Sequence, residues 1–212
     1  MRAQNVLEST YSALLDALTK TVPDQAYQPT RCRGWGRVDL LHHLLSDAQR
    51  ALVALHTPDG GVVDTDEVSY WRSFPAGGDG DAELRHTRSM ASLWSFPVLV
   101  QRYTETAHAV LVASHQRPGG DRVSTQGHTL TVHALRSTLA VEATVHHLDL
   151  GLAHPSPLGL AEVRRVLDGL LGHPAAITDD VRYALVGTGR EPLTAAEREQ
   201  LGPAAERIPL FG

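Results

Sequence analysis

Glu142-Ala143-Thr144-Val145-His146-His147-Leu148-Asp149-Leu150 is the stretch from which the fold is read. It lies in an apolar run whose helical periodicity spans about residues 131 to 153. On a helix each residue turns by about 100 degrees, so Glu142 and His146 lie about 40 degrees apart and their side chains converge one turn from each other. Asp149 falls about 20 degrees to the other side of Glu142, and Leu135, Leu139 and Val145 share the arc. The ionisable groups therefore stand inside the apolar stripe, while His147 and Arg136 fall about 120 to 140 degrees away on a different face. Burying a carboxylate and an imidazole among leucines costs on the order of several kcal/mol unless they are paired or hold a cation. Spacing alone leaves two readings open: a shared metal ion, or a buried Glu–His hydrogen bond without one.

The rest of the chain reads as helices around this one. Leu7, Tyr11, Leu14, Leu15 and Leu18 predict a helix over about residues 3 to 20, and Leu40, Leu41, Leu44, Leu45, Ala48 and Leu52 predict a second over 37 to 54. The glycines, prolines and aspartates of residues 57 to 80 predict a long loop, and loops of that length in compact domains are usually functional or mobile. A further helical pattern spans 81 to about 115, and Pro97 is expected to kink or split it near Ser95. Residues 123 to 132, with Gly127 at the centre, read as a small hairpin or extended loop. Beyond His154 come helical stretches at 160 to 171, 179 to 187 and 194 to 200. The expected architecture is mainly α, with residues 1–155 forming a helical bundle and 156–212 a helical extension packed on it.

A second motif gives the first a context. Gly34-Trp35-Gly36-Arg37-Val38-Asp39-Leu40-Leu41-His42-His43-Leu44 resembles the GW-x-x-x-D-x-x-x-HL motif of the DinB-like superfamily, in its mycothiol-dependent maleylpyruvate isomerase branch. Glu142, His146, Asp149 and Leu150 match that family's second signature, E-x-x-x-H-x-x-D-L. The resemblance covers roughly residues 5 to 153. The tail Thr188-Gly189-Arg190-Glu191-Pro192-Leu193-Thr194 also looks like extensions of actinobacterial relatives. It implies a DinB-like four-helix bundle with extra C-terminal helices, and a divalent metal, zinc by first expectation, held by His43, Glu142 and His146. His43 is chosen over His42 by the motif, because on the wheel of the second helix it falls with Asp39, Asp47 and Arg50 on the polar side. One departure is Leu139, where many relatives carry an arginine three residues before the glutamate.

Two histidines and one carboxylate leave positions open on zinc, the coordination count of a catalytic site. A thiol or water joining such an ion loses its proton near neutral pH. The resemblance implies that the thiol is mycothiol and the second reactant a small electrophile, in S-transfer or thiol-assisted isomerisation. Asp149, the catalytic candidate, is expected to orient a ligand or the nucleophile; a salt bridge or a helix-terminal role is the alternative. Tyr70, Trp71, Arg72 and His128 are candidate substrate contacts. Trp35 reads as core, and Cys32 as structural, since it lies outside both motifs. Metal-water hydrolysis at the same site and a noncatalytic ligand-binding bundle with a structural metal are the competing functions.

Composition sets limits on all of these. Hydrophobic content of 42%, charged content of 20% and a net charge of -5 lack the basic excess of a phosphate-binding surface, so nucleic acid is not an expected partner. No run approaches the roughly 18 apolar residues of a membrane span. The single cysteine forms no internal disulfide, and the N-terminal pattern is amphipathic, so a cytoplasmic protein is expected. Twelve histidines are a large complement of metal ligands and proton carriers, though several of them fit solvated helix faces.

Overall fold

A computed structural model describes residues 2–74 and 81–212 of the chain. Its axis is α5 (Val132–Leu150), in which every residue except His133 and Glu142 is buried. A helix covered around its whole circumference needs neighbours on every side. On one side α1 (Arg2–Thr19), α2 (Arg37–His56) and α4 (Phe96–His115) complete a four-helix bundle with it. Leu7, Tyr11 and Leu14, Leu40, Leu41 and Leu44, and Leu99, Tyr103 and Val110 meet Leu135 and Leu139 in that core. On the other side α6 (Pro157–Leu171) and α7 (Asp180–Gly187) pack Val163, Val166, Leu167, Tyr183 and Val186 against Val141, Val145 and Leu148. The chain continues through α8 (Ala195–Leu201) to a final segment in which Phe211 joins this second core.

The helix pattern expected over 81 to 115 is split, as Pro97 requires. α3 (Asp81–Ala91) ends before Ser95, the residue that precedes α4 in extended conformation, and Pro97 takes a first-turn position where no backbone N–H is needed. The short alternating stretch is a hairpin, β1 (Arg122–Thr125) and β2 (His128–Thr131), antiparallel with Thr125 opposite His128. Its two turn residues, Gln126 and Gly127, both have positive φ, 49° and 80°, the geometry that matches the twist of paired strands. β2 leads directly into α5, where the Thr131 hydroxyl accepts the Ala134 N–H. α5 stops at Leu150, short of the expected end near 153, because Gly151 takes a left-handed cap with φ of 61°.

The loop expected over 57 to 80 is tied down where it is described, and 75–80 lie outside the described residues. Asp59 accepts from the Thr129 hydroxyl at 2.6 Å, Asp64 N–H donates to the Thr129 carbonyl, and Ser69–Ser73 form a 3-10 turn that buries Tyr70 and Trp71. Among the described residues no helix is long and apolar enough to cross a membrane.

Candidate metal centre and cavity

The segment that carries the first motif docks on the end of α5. Arg31 N–H donates to the Asp149 carbonyl at 3.0 Å, and Arg37 Nε donates to the Leu150 carbonyl at 3.0 Å. Between them the chain turns through Gly34, at φ 82°, and enters α2, where Asp39 accepts the Gly36 N–H at 2.8 Å. The motif aspartate is thus a helix cap, which frees one of the unpaired donors at the helix start from needing water. This entry fixes the rotation of α2, so that its leucine stripe faces the bundle and His43 faces α5.

There His43 Nε2 lies 3.1 Å and His146 Nε2 3.3 Å from the same oxygen, Oε1 of Glu142. The three donor atoms all lie within 4.8 Å of one another. Donors at zinc distances around a tetrahedral ion stand about 3.3 Å apart, so this arrangement fits a divalent cation in both donor type and spacing. Burial pushes the Glu142 carboxyl up, but His146 and His43 outweigh it and hold the group well below the usual carboxylate range. Burial pushes His146 down, yet Glu142 and Asp149 hold it well above the usual imidazole range. Glu142 and the imidazoles beside it thus each favour the other's charged form.

Behind His146 a second row of groups closes the site. His146 Nδ1 donates to Asp149 Oδ2 at 2.9 Å, and Arg190 Nη2 donates to the same oxygen at 3.1 Å. Burial acts to raise the Asp149 pKa, but the His146 hydrogen bond and Arg190 bring it down to about 2. The Cys32 thiol also donates to Asp149 Oδ2, at 3.2 Å. Cys32, read from the sequence as structural and outside both motifs, is nevertheless beside the site: it is two residues ahead of the Gly-Trp turn, and the docking of Arg31 on Asp149 carries it in.

The donors lie on the wall of a cavity of about 960 Å³ between α2, α5, the hairpin turn, the 3-10 turn and the C-terminal segment. Its lining includes Trp35, Tyr70, Trp71, Phe74 and Phe211, with Trp71 and Phe211 stacked at 4.4 Å between ring centres. Trp35, expected in the core, packs partly buried against it and also lines this cavity, with its ring centre 5.2 Å from that of His43. The polar side of α2 faces the cavity instead of solvent, bringing in Asp47 and Arg50, which pair at 3.0 Å. Burial and the nearby Glu142 push the Asp47 carboxyl up to about 6. Gln126, at the hairpin turn, donates to the Tyr70 hydroxyl at 2.9 Å.

A family model of the mycothiol maleylpyruvate isomerase N-terminal domain matches residues 7–151. The chain belongs to this family. The match covers the bundle, both motifs and α5, and the family is named for an enzyme, the class expected from the sequence. The crystal structure of the mycothiol-dependent maleylpyruvate isomerase aligns with a TM-score of 0.58 at 14% identity, over 78% of this chain and 68% of that one. A histidine-to-alanine mutant of that isomerase aligns with a TM-score of 0.59 at 15% identity, over the same shares. At that identity the likeness is one of fold, and it agrees with the DinB-like helical bundle. No curated protein sequence matches the chain.

Set in this family fold, the expected residues separate clearly. His43, Glu142, His146 and Asp149 come together, and Tyr70 and Trp71 line the cavity beside them. Arg72 is exposed, and His128 is engaged with Asp64 and Ser73 on the loop; neither lines the cavity. Leu139 lines it one turn before Glu142. Asp47, Arg50, Arg190 and Phe211 were not among the sequence candidates. Asp47, one turn after His43, carried a helical-spacing signal; Arg190 stood in the tail stretch that resembles actinobacterial relatives, with nothing to place it at the site, and Phe211 carried no signal.

Proposed function

We propose that this family member is a divalent-metal-dependent enzyme that activates a low-molecular-weight thiol, mycothiol, for S-transfer to, or isomerisation of, a small electrophile. The observation that carries the reading is the convergence of His43 Nε2 and His146 Nε2 on Glu142 Oε1 at the wall of the cavity. A divalent ion on those donors retains open positions and lowers the pKa of a thiol that joins them. Zinc suits two imidazoles and a carboxylate.

The chain's own groups supply the remainder. Asp149 fixes the ring of His146 by accepting its Nδ1–H, so the other nitrogen faces Glu142. Asp47, its carboxyl raised to about 6 by burial and by Glu142, is placed on the cavity wall to take or give a proton as a bound substrate rearranges. Trp35, Tyr70, Trp71 and Phe211 exclude water from the reacting atoms. A cavity of this volume is at the upper end of small-molecule sites, which are roughly 300–1,000 Å³, and so has room for a thiol and a second reactant together.

The test is metal analysis of purified protein, followed by single-turnover assays with a panel of small electrophiles, with and without mycothiol. Stoichiometric zinc and turnover that needs the thiol are expected. Turnover without thiol supports metal-water hydrolysis instead. Metal that raises the melting temperature while neither thiol nor electrophile binds supports a structural role.

A further inference from the structure

His146 belongs to two groups of potential ligands. Through Nε2 it stands with His43 and Glu142; through Nδ1 it stands with Cys32 and Asp149. In the second group Cys32 Sγ lies 3.2 Å from Asp149 Oδ2 and 3.9 Å from His146 Nδ1, and Nδ1 lies 2.9 Å from Oδ2. Thiolate, imidazole and carboxylate are all zinc ligands, so donor chemistry alone does not choose between the two groups.

The charges already in place do choose. Arg190 reaches in from the turn after α7 and lays its guanidinium along Asp149, with Nη2 3.1 Å from Oδ2 and Nε 3.2 and 3.3 Å from Oδ1 and Oδ2. Its Nη1 donates to the Thr188 carbonyl at 2.8 Å, which fixes the fork. The guanidinium stays charged at all working pH values. A divalent ion on Asp149 would meet that cation at close range and would have to displace it. At Glu142, by contrast, the side chains within hydrogen-bond distance among the described residues are the two histidines, and Arg190 acts on it only by a longer-range attraction weaker than its direct pairing with Asp149. Arg190 also leaves Asp149 an acceptor for His146 Nδ1–H, so Nε2 is the nitrogen that faces the Glu142 side.

We propose that Arg190 assigns the divalent cation to the His43–Glu142–His146 group, acting as a positioning residue through Asp149. The inference rests on the metal reading of the proposed function. It makes the segment after α7, which lies beyond the family match at 7–151, part of the metal site.

Cobalt(II) titrated into metal-free protein tests this, because a thiolate ligand gives a charge-transfer band in the near ultraviolet and a nitrogen–oxygen set does not. The wild-type protein should bind cobalt without that band, and Cys32→Ser should bind zinc as tightly as wild type in chelator competition. Arg190→Gln should weaken zinc binding by about 10–100-fold, the usual effect of removing such an outer partner, and should gain a thiolate band that Cys32→Ser removes. Arg190→Lys keeps the cation, so it should show no band and an intermediate affinity. A thiolate band in the wild-type protein overturns the proposal, as does Arg190→Gln with wild-type zinc affinity and no band. If Arg190→Gln does not fold, the wild-type spectrum and Arg190→Lys decide. If wild-type protein takes up neither ion, the metal reading itself fails. Nitrogen-15 spectra of His146, recorded above its titration, then judge Arg190 alone: loss of Nδ1 protonation in Arg190→Gln or Arg190→Lys supports its role, and an unchanged tautomer overturns it.

Discussion

His43 and His146 approach one oxygen of Glu142 from two helices, α2 and α5, at 3.1 and 3.3 Å. Two imidazoles crowded on one carboxylate oxygen share an acceptor that a cation would relieve, so metal should stabilise the folded chain. At a zinc concentration 100 times the Kd the gain is about 2.7 kcal/mol. For a chain of this size that corresponds to a Tm rise of about 5–10 °C. Thermal unfolding of chelator-treated protein, with and without zinc, should show the rise, and His43→Ala should abolish it. Equal Tm values with and without zinc would show that the triad does not hold the ion.

His147, next to His146 on α5, is buried, and burial brings its pKa down to about 4. The ordinary value is 6.5. Between those values the unfolded chain takes up a proton that the folded chain refuses, so this group's stabilisation is present above pH 6.5 and is lost as pH falls towards 4. Asp47, raised to about 6, acts with the opposite sign over much of the same range, so the wild-type curve alone does not isolate His147. The difference between wild type and His147→Phe does. Urea unfolding at pH 7.5 and 4.5 should show the wild type losing about 2 kcal/mol relative to the variant. Parallel pH profiles would refute the assignment.

Leu139 lies on the cavity wall one turn before Glu142, where an arginine has open space to extend. Leu139→Arg should fold with a loss of about 1–3 kcal/mol and should tighten binding of a small dicarboxylate such as succinate about tenfold through a charge-assisted pair. Calorimetric titration reads this directly. Equal binding by the two proteins would mean that residue 139 does not set the anion preference of the cavity.

The bundle was legible because its helices bury continuous stripes, and because proline marks the break at Pro97 by a rule that acts within a turn or two, whereas the stop at Gly151 was read about three residues late. Glu142 and His146 were legible because helical spacing places them together. Three parts of the site were not. On the polar side of α2 the motif picked out His43, which requires that side to line a cavity, but amphipathic reading alone assigns Asp47 and Arg50 to solvent and gave them no part in the site. Cys32 is brought to Asp149 by a loop docking through backbone hydrogen bonds, which any residue types can make. Arg190 meets Asp149 across 41 residues of chain, a separation at which no local pattern operates.

Gly159 tests the junction of the extension with the bundle. It sits in the first turn of α6, where a Cβ would lie 2.3 Å from Thr144 Oγ1 and 2.7 Å from Thr10 Oγ1. Helix propensity alone favours Gly159→Ala by about 1 kcal/mol. The clash acts against it, and Thr144 does not yield easily: it is β-branched, its hydroxyl donates to the Ala140 carbonyl at 2.7 Å, and α5 is packed on all sides. The variant should therefore be destabilised by about 1–3 kcal/mol, the usual effect of overpacking. Adding Thr144→Ala should restore part of that loss, giving a coupling of about 0.5–3 kcal/mol in a double-mutant cycle. Urea unfolding of the four proteins measures it, and a Gly159→Ala variant more stable than wild type would mean that α6 does not approach α1 and α5 this closely.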